Sequence, residues 1–176
     1  MARKLGYKTI AEIGKERIRR VIARLKEEPE AKQASLQGRR EDLGFKVFRL
    51  SESNYKIWRG VEERTPEKYI SEMREHVDSL VKDWKRDDVI YEVAIKESYE
   101  LTLKIARETR YKDNEILRVS AMDGARSFLI CLDDKIMSST IKSVDISKRE
   151  IFVCRDIALD DTGAANLALQ CVLKTI

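Results

Sequence analysis

Apolar positions recur in two rhythms along this chain, one helical and one strand-like. Ile10, Ile13, Ile18, Val21, Ile22 and Leu25 keep to one face of a helix. Thr9 followed three residues later by Glu12 forms a capping box, so the helix is expected to start there and to end before Pro29. Glu28 to Asp42 is polar, with Pro29, Ser35 and Gly38, and marks a linker. Phe45 to Leu50 is aromatic and branched and short enough for a strand, with turn chemistry in Ser51-Glu52-Ser53-Asn54 and Trp58 as a packing anchor. Thr65 can cap a second helix with Pro66 at its first position, and Tyr69, Ile70, Met73, Val77, Leu80, Val81 and Trp84 extend that helix. Val89 to Ser98 satisfies a helical stripe through Ile90, Val93 and Ala94, while its branched residues favour a strand; the helical reading is adopted.

From Ile116 the runs shorten. Ile116 to Ser120, Ser127 to Leu132 and Arg149 to Cys154 read as strands, with a turn at Asp123-Gly124 and a helical segment from Ser138 to Val144. A last helix is expected from Asp161 or Thr162 through Leu173. The pattern predicts an α/β class, with α+β as the alternative: a basic N-terminal helix and a helical middle leading to a small mixed sheet. Residues 1–42 form a helix with linker, and 43–176 an α/β domain.

A chain of 176 residues is long enough to bury roughly 70% of its unfolded surface. No window approaches the ~18 consecutive apolar residues of a membrane span, and the N-terminus runs into a charged helix instead of an apolar leader, so a cytoplasmic location is expected. Cys131, Cys154 and Cys171 fit buried free thiols better than a disulfide frame. With His76 alone and no closely spaced cysteines, a cluster of nitrogen and sulfur metal ligands is not expected; His76 reads as a solvated surface residue.

The net charge of +4 is uneven. Arg3 to Lys26 holds nine basic residues against Glu12 and Glu16, a local +7 that leaves the remainder slightly acidic. Lys15, Arg17, Arg19, Arg20 and Arg24 are the candidate DNA-binding residues, because clustered cations on one helix are the footprint of phosphate contact. A solvated face is an equal reading, since Glu12 and Glu16 can pair with Lys15, Arg19 and Arg20.

The tract Leu43-Gly44-Phe45-Lys46-Val47-Phe48-Arg49-Leu50-Ser51-Glu52-Ser53-Asn54-Tyr55-Lys56-Ile57-Trp58 resembles a signature past the catalytic core of type III restriction-modification DNA methyltransferases. Tyr7 to Arg20 looks like the helix that closes that family's catalytic domain, and Leu129 to Ile136 like a strand and turn near its C-terminus. The resemblance implies the C-terminal part of a modification (Mod) subunit. The parent reaction would be methyl transfer from S-adenosyl-L-methionine (AdoMet) to adenine N6 in a short asymmetric site. The implied partners are DNA, the methyltransferase catalytic region or a second Mod copy, and a helicase-nuclease (Res) subunit.

This chain departs from the family's catalytic pattern. Pro29 and Pro66 stand far apart, so no Pro-Pro tetrapeptide exists to grip a flipped base, and no two glycines have the i, i+2 spacing of a nucleotide-binding loop. Catalytic, cofactor-binding and metal residues are therefore expected to be none here, with AdoMet belonging to the parent enzyme. Asp156, Asp160, Asp161 and Asn166 match acidic and Asn positions of the family without an assigned role.

Other chemistry has plainer explanations. Asp133, Asp134, Asp156, Asp160 and Asp161 follow predicted strands, where a hydrated Mg²⁺ could bind, but capping of the following helices explains them better. A phosphodiesterase would require Asp133, Asp134 and Asp156 within a few ångströms of one another. Phe45, Phe48, Tyr55 and Trp58 could stack bases, though packing is favoured. The competing function is a free-standing nucleic-acid-binding or protein-interaction module, if translation begins at Met1.

Overall fold

The structure, a computed structural model, describes residues 6–28, 43–61 and 65–176. Residues 29–42 of the linker inferred from Glu28 to Asp42, and the basic pair Arg3 and Lys4, lie outside the described residues. The chain divides into two units, Met1–Arg49 and Leu50–Ile176.

Helix α1 (Ile10–Glu27) belongs to the first unit. Thr9 Oγ1 accepts the Glu12 amide at 3.2 Å, and Glu12 Oε2 accepts the Thr9 amide at 3.3 Å, so the capping box closes in both directions. Glu12 in the first turn with Arg24 and Lys26 in the last complements the helix dipole. Among its described residues α1 buries none, and Ile10, Ile18, Val21 and Leu25 are exposed. Phe45 to Leu50 forms no strand: Phe45, Val47, Phe48 and Leu50 are all substantially exposed, and branched composition alone cannot make a strand without a ladder to join.

In the second unit, α2 (Pro66–Glu75) starts as the sequence indicates. Thr65 Oγ1 accepts the Lys68 amide at 3.4 Å, and Pro66 stands at the first position. It does not continue to Trp84. His76 closes it, its Nδ1 donating to the Glu72 carbonyl at 2.9 Å, so this histidine is a half-buried helix end and not a solvated residue. Leu80 then pairs with Tyr55 in an isolated antiparallel bridge, and burial of Leu80 in the core requires the chain to leave the helix.

Helix α3 (Arg86–Lys96) follows, and the ambiguous segment is helical. Val89, Ile90, Val93 and Ala94 are buried along its core side. Ser98, with φ 60, ends it, as the Tyr99 amide reaches back to the Ala94 carbonyl at 2.8 Å.

Five strands complete the unit: β1 (Leu103–Arg107), β2 (Ile116–Ala121), β3 (Ser127–Cys131), β4 (Ile151–Cys154) and β5 (Val172–Thr175). Their order in the sheet is their order in the chain. β1, β2 and β3 form an antiparallel meander, while β3, β4 and β5 are parallel. The β2–β3 connection turns at Gly124, whose φ of 71 suits glycine, and Asp123 Oδ1 accepts the Ala125 amide.

Helix α4 (Ser138–Ser143) carries the first parallel crossover and α5 (Asp161–Ala168) the second. The C-terminal helix expected through Leu173 stops at Ala168, because Val172 and the residues after it are taken by pairing with β4. β1 was not anticipated. The architecture is nonetheless the expected one, helices first and then a small mixed sheet.

β3 reads as an unbroken apolar run because both of its faces are covered. Phe128 and Ile130 pack with Val89, Ile90 and Val93 of α3; Leu129 and Cys131 pack on the opposite face with Phe152, Val144 and Leu167. The second unit is therefore a three-layer arrangement, with α3 on one face and α4 with α5 on the other. Gly163 permits the close approach of α4 and α5, as a Cβ there would lie 2.9 Å from Asp160 Oδ1 and 3.1 Å from Ile141 Cδ1. The three cysteines are buried free thiols.

Candidate nucleic-acid interface

α1 places the predicted DNA-binding residues on its surface in two rows. Arg17, Arg20 and Arg24 follow one another at helical spacing, and Lys15 and Arg19 occupy a second row. Glu16 lies between the rows. Its carboxylate takes Arg20 Nε at 2.9 Å and Arg19 Nη1 at 3.9 Å, and it is the main reason the Arg20 pKa is raised. Arg19 also sits 6.0 Å from the Phe45 ring centre. Among the described residues Lys15, Arg17 and Arg24 have no carboxylate partner. The helix thus combines partly neutralised cations with free ones.

The motif Ser51 to Trp58 is held by α3. Glu92 accepts Ser53 Oγ at 2.5 Å, the Asn54 amide at 2.8 Å and Asn54 Nδ2 at 3.0 Å, with Lys96 Nζ at 3.6 Å. Burial pushes the Glu92 pKa up, yet the bonds from Ser53 and Asn54 and the charge of Lys96 outweigh it and hold the carboxyl below its ordinary range. Lys56 Nζ donates to the carbonyls of Glu75 and Asp78, both at 2.7 Å, and so caps the end of α2. Lys96 covers the Tyr55 ring at 3.3 Å, and burial raises the Tyr55 pKa to about 12. Trp58 meets His76 edge-on at 4.9 Å but is half exposed, as are Phe45 and Phe48, so of the four aromatics expected to pack only Tyr55 lies against the core. Serine and asparagine here act as a clasp between an extended segment and a helix.

The strand-end acids do structural work instead of gathering. Asp133 accepts Asn114 Nδ2 and the Glu115 amide, both at 2.9 Å, and Asp134 pairs with the buried Arg155. Neither caps α4. That role falls to Asn114, whose Oδ1 accepts the Met137 amide at 2.9 Å and Thr140 Oγ1 at 2.8 Å. Asp160 does cap α5, accepting the Gly163 amide at 2.6 Å. Among the described residues no three His, Cys, Asp or Glu side chains come together in a way that could hold a metal ion.

Sequence reasoning missed Arg155. It is 4% exposed, bonded to Asp134 and, at 2.8 Å, to Asp78 Oδ2, and it lies 5.6 Å from the Trp84 ring centre. A basic residue directly after an apolar run was the available signal. A cleft of about 970 Å³ is lined by Asp134, the partner of Arg155, by Lys135 ahead of α4, and by residues of α4 and α5 including Ser138, Lys142 and Asn166. No family model, curated protein or solved structure matches the chain. Among the described residues no helix is long and apolar enough to cross a membrane.

Proposed function

We propose that this chain is the C-terminal assembly and DNA-contacting portion of a type III restriction-modification adenine-N6 DNA methyltransferase, acting in the cytoplasm and not catalytic by itself. The observation that carries the reading is α1: a helix closed at its N-terminus by a capping box, in the tract resembling the family, with Lys15, Arg17 and Arg24 free of carboxylates among the described residues. Phosphate contacts of this kind would fix register on the duplex without reading its sequence. The clasp of Glu92 on Ser53 and Asn54 supports it further, because it fixes part of the family-like tract against α3. AdoMet, and the residues that bind it, would come from the catalytic region, while a second Mod copy and a Res subunit would complete the assembly.

The test is methyl transfer from labelled AdoMet to DNA, by this chain alone and mixed with a separately expressed catalytic region of the family. Transfer only in the mixture supports the proposal. Absence of both transfer and complex formation refutes it in favour of a free-standing binding module, and transfer by this chain alone overturns the argument from the missing motifs.

A further inference from the structure

Charge in the second unit is segregated. Residues 107–112 carry three cations and one acid, and residues 142–150 three cations and two acids, a net +3 in fifteen residues. With +7 in the 3–26 stretch and +4 overall, everything else in the chain sums to −6. The two segments meet across the sheet. Arg118 on β2 bonds Glu108 Oε1 at 2.5 Å and also takes Glu150, which accepts Ser127 Oγ at 3.2 Å. Arg110 reaches the Asp145 carbonyl at 3.4 Å and Glu108 Oε2 at 3.6 Å.

This wiring separates the charges by exposure. Glu108 and Glu150 are half-buried and turned onto Arg118, whereas Arg107, Arg110, Lys112, Lys142, Lys148 and Arg149 are exposed. Lys148 and Arg149 occupy the corner of a tight turn, closed by the Glu150 amide on the Ser147 carbonyl at 2.9 Å. Among the described residues neither has an ion-pair partner. Asp145 is the one exposed acid of the two segments.

We infer that this surface is a second DNA-backbone contact, with Lys148 and Arg149 at its tip. The inference rests on the DNA-contacting reading proposed above and locates a contact of the α/β unit itself. An internal Glu-Arg-Glu bridge that withdraws two acids leaves outward cations that a polyanion can neutralise. A turn tip also reaches a phosphate without having to enter a groove.

The experiment is duplex-DNA binding by the full chain across a KCl series. It compares wild type with Lys148→Gln/Arg149→Gln and, separately, with Arg17→Gln/Arg24→Gln, after checking that each retains the wild-type circular dichroism spectrum. The expected result for Lys148→Gln/Arg149→Gln is a salt slope shallower by about 1.8 and affinity lower by roughly 10- to 100-fold at low salt. An unchanged slope for that variant, with a reduced one for Arg17→Gln/Arg24→Gln, overturns the second contact and leaves the α1 reading standing. If it binds DNA normally but fails to join the catalytic region, the surface is a protein interface and the inference is wrong. Absence of salt-dependent binding by the wild type sinks both readings.

Discussion

Glu92→Gln isolates the clasp that positions the family-like tract. The substitution keeps the size of the side chain but replaces a charged acceptor of three hydrogen bonds by a neutral amide that accepts at one end only, so the bonds from Asn54 and Ser53 can no longer all be made to a carboxylate. Hydrogen bonds to a charged acceptor contribute about 1.5–3 kcal/mol each. Because Glu92 retains 19% side-chain exposure, the combined loss should fall below the simple sum, at about 2–4 kcal/mol. The effect should be local. The Asn54 amide donates to Glu92, Lys56 to the Ser79 carbonyl and Val81 to the Asn54 carbonyl, so these three amides form one opening unit. Their native-state hydrogen exchange should quicken by roughly 30- to 1,000-fold while Leu129 and Ile130 amides keep their rates. pH supplies an internal check. The Glu92 carboxyl is depressed in the folded state, so its contribution is present above the unfolded value of about 4.3 and disappears as pH falls through the folded one. Wild-type protection of these amides should weaken on acidification, and the Gln variant should not show that dependence. Equal exchange at Asn54 in both proteins would refute the clasp.

Burial holds the Cys131 and Cys154 thiols at about 12 and Cys171 at about 11. They should resist alkylation at pH 8 in the native protein and react on unfolding. Above about pH 8.5 the unfolded chain ionises these thiols while the folded one does not, so stability should decline with rising pH, by about 1.4 kcal/mol per unit for each of Cys131 and Cys154. Urea titrations from pH 8 to 10 of wild type and Cys131→Ala/Cys154→Ala check this, and equal slopes would count against it. Gly163→Ala should cost about 1–3 kcal/mol by forcing apart Asp160 and Ile141, and an unchanged melting temperature would contradict the close approach of α4 and α5.

Local chemistry was legible where a residue acts on its near neighbours. Thr9 with Glu12, Thr65 with Pro66, and Asp123 with Gly124 specify their caps and turn without help from the rest of the chain. Errors arose where tertiary packing overrode composition. Leu80 and Trp84 continue the rhythm of α2 but serve the core from outside it, and Phe45 to Leu50 has strand composition without a neighbouring strand. β1 was obscured because Lys104 to Arg107 are all exposed, so the edge strand has little apolar contrast. For the site, the sequence indicates which residues are charged, whereas the burial of Arg155 and the inward turn of Glu108 and Glu150 depend on residues far along the chain.

A sheet whose spatial order repeats its chain order has a kinetic consequence. Each strand needs only its predecessor, so the meander can zip from its hairpins and the two parallel strands can add in succession, with no late strand having to insert between earlier ones. Loop closure is confined at each step to one turn or one crossover helix. During synthesis, the portion through β3 can already be paired while β4 and β5 are still being made, and the last strand adds to a prepared edge.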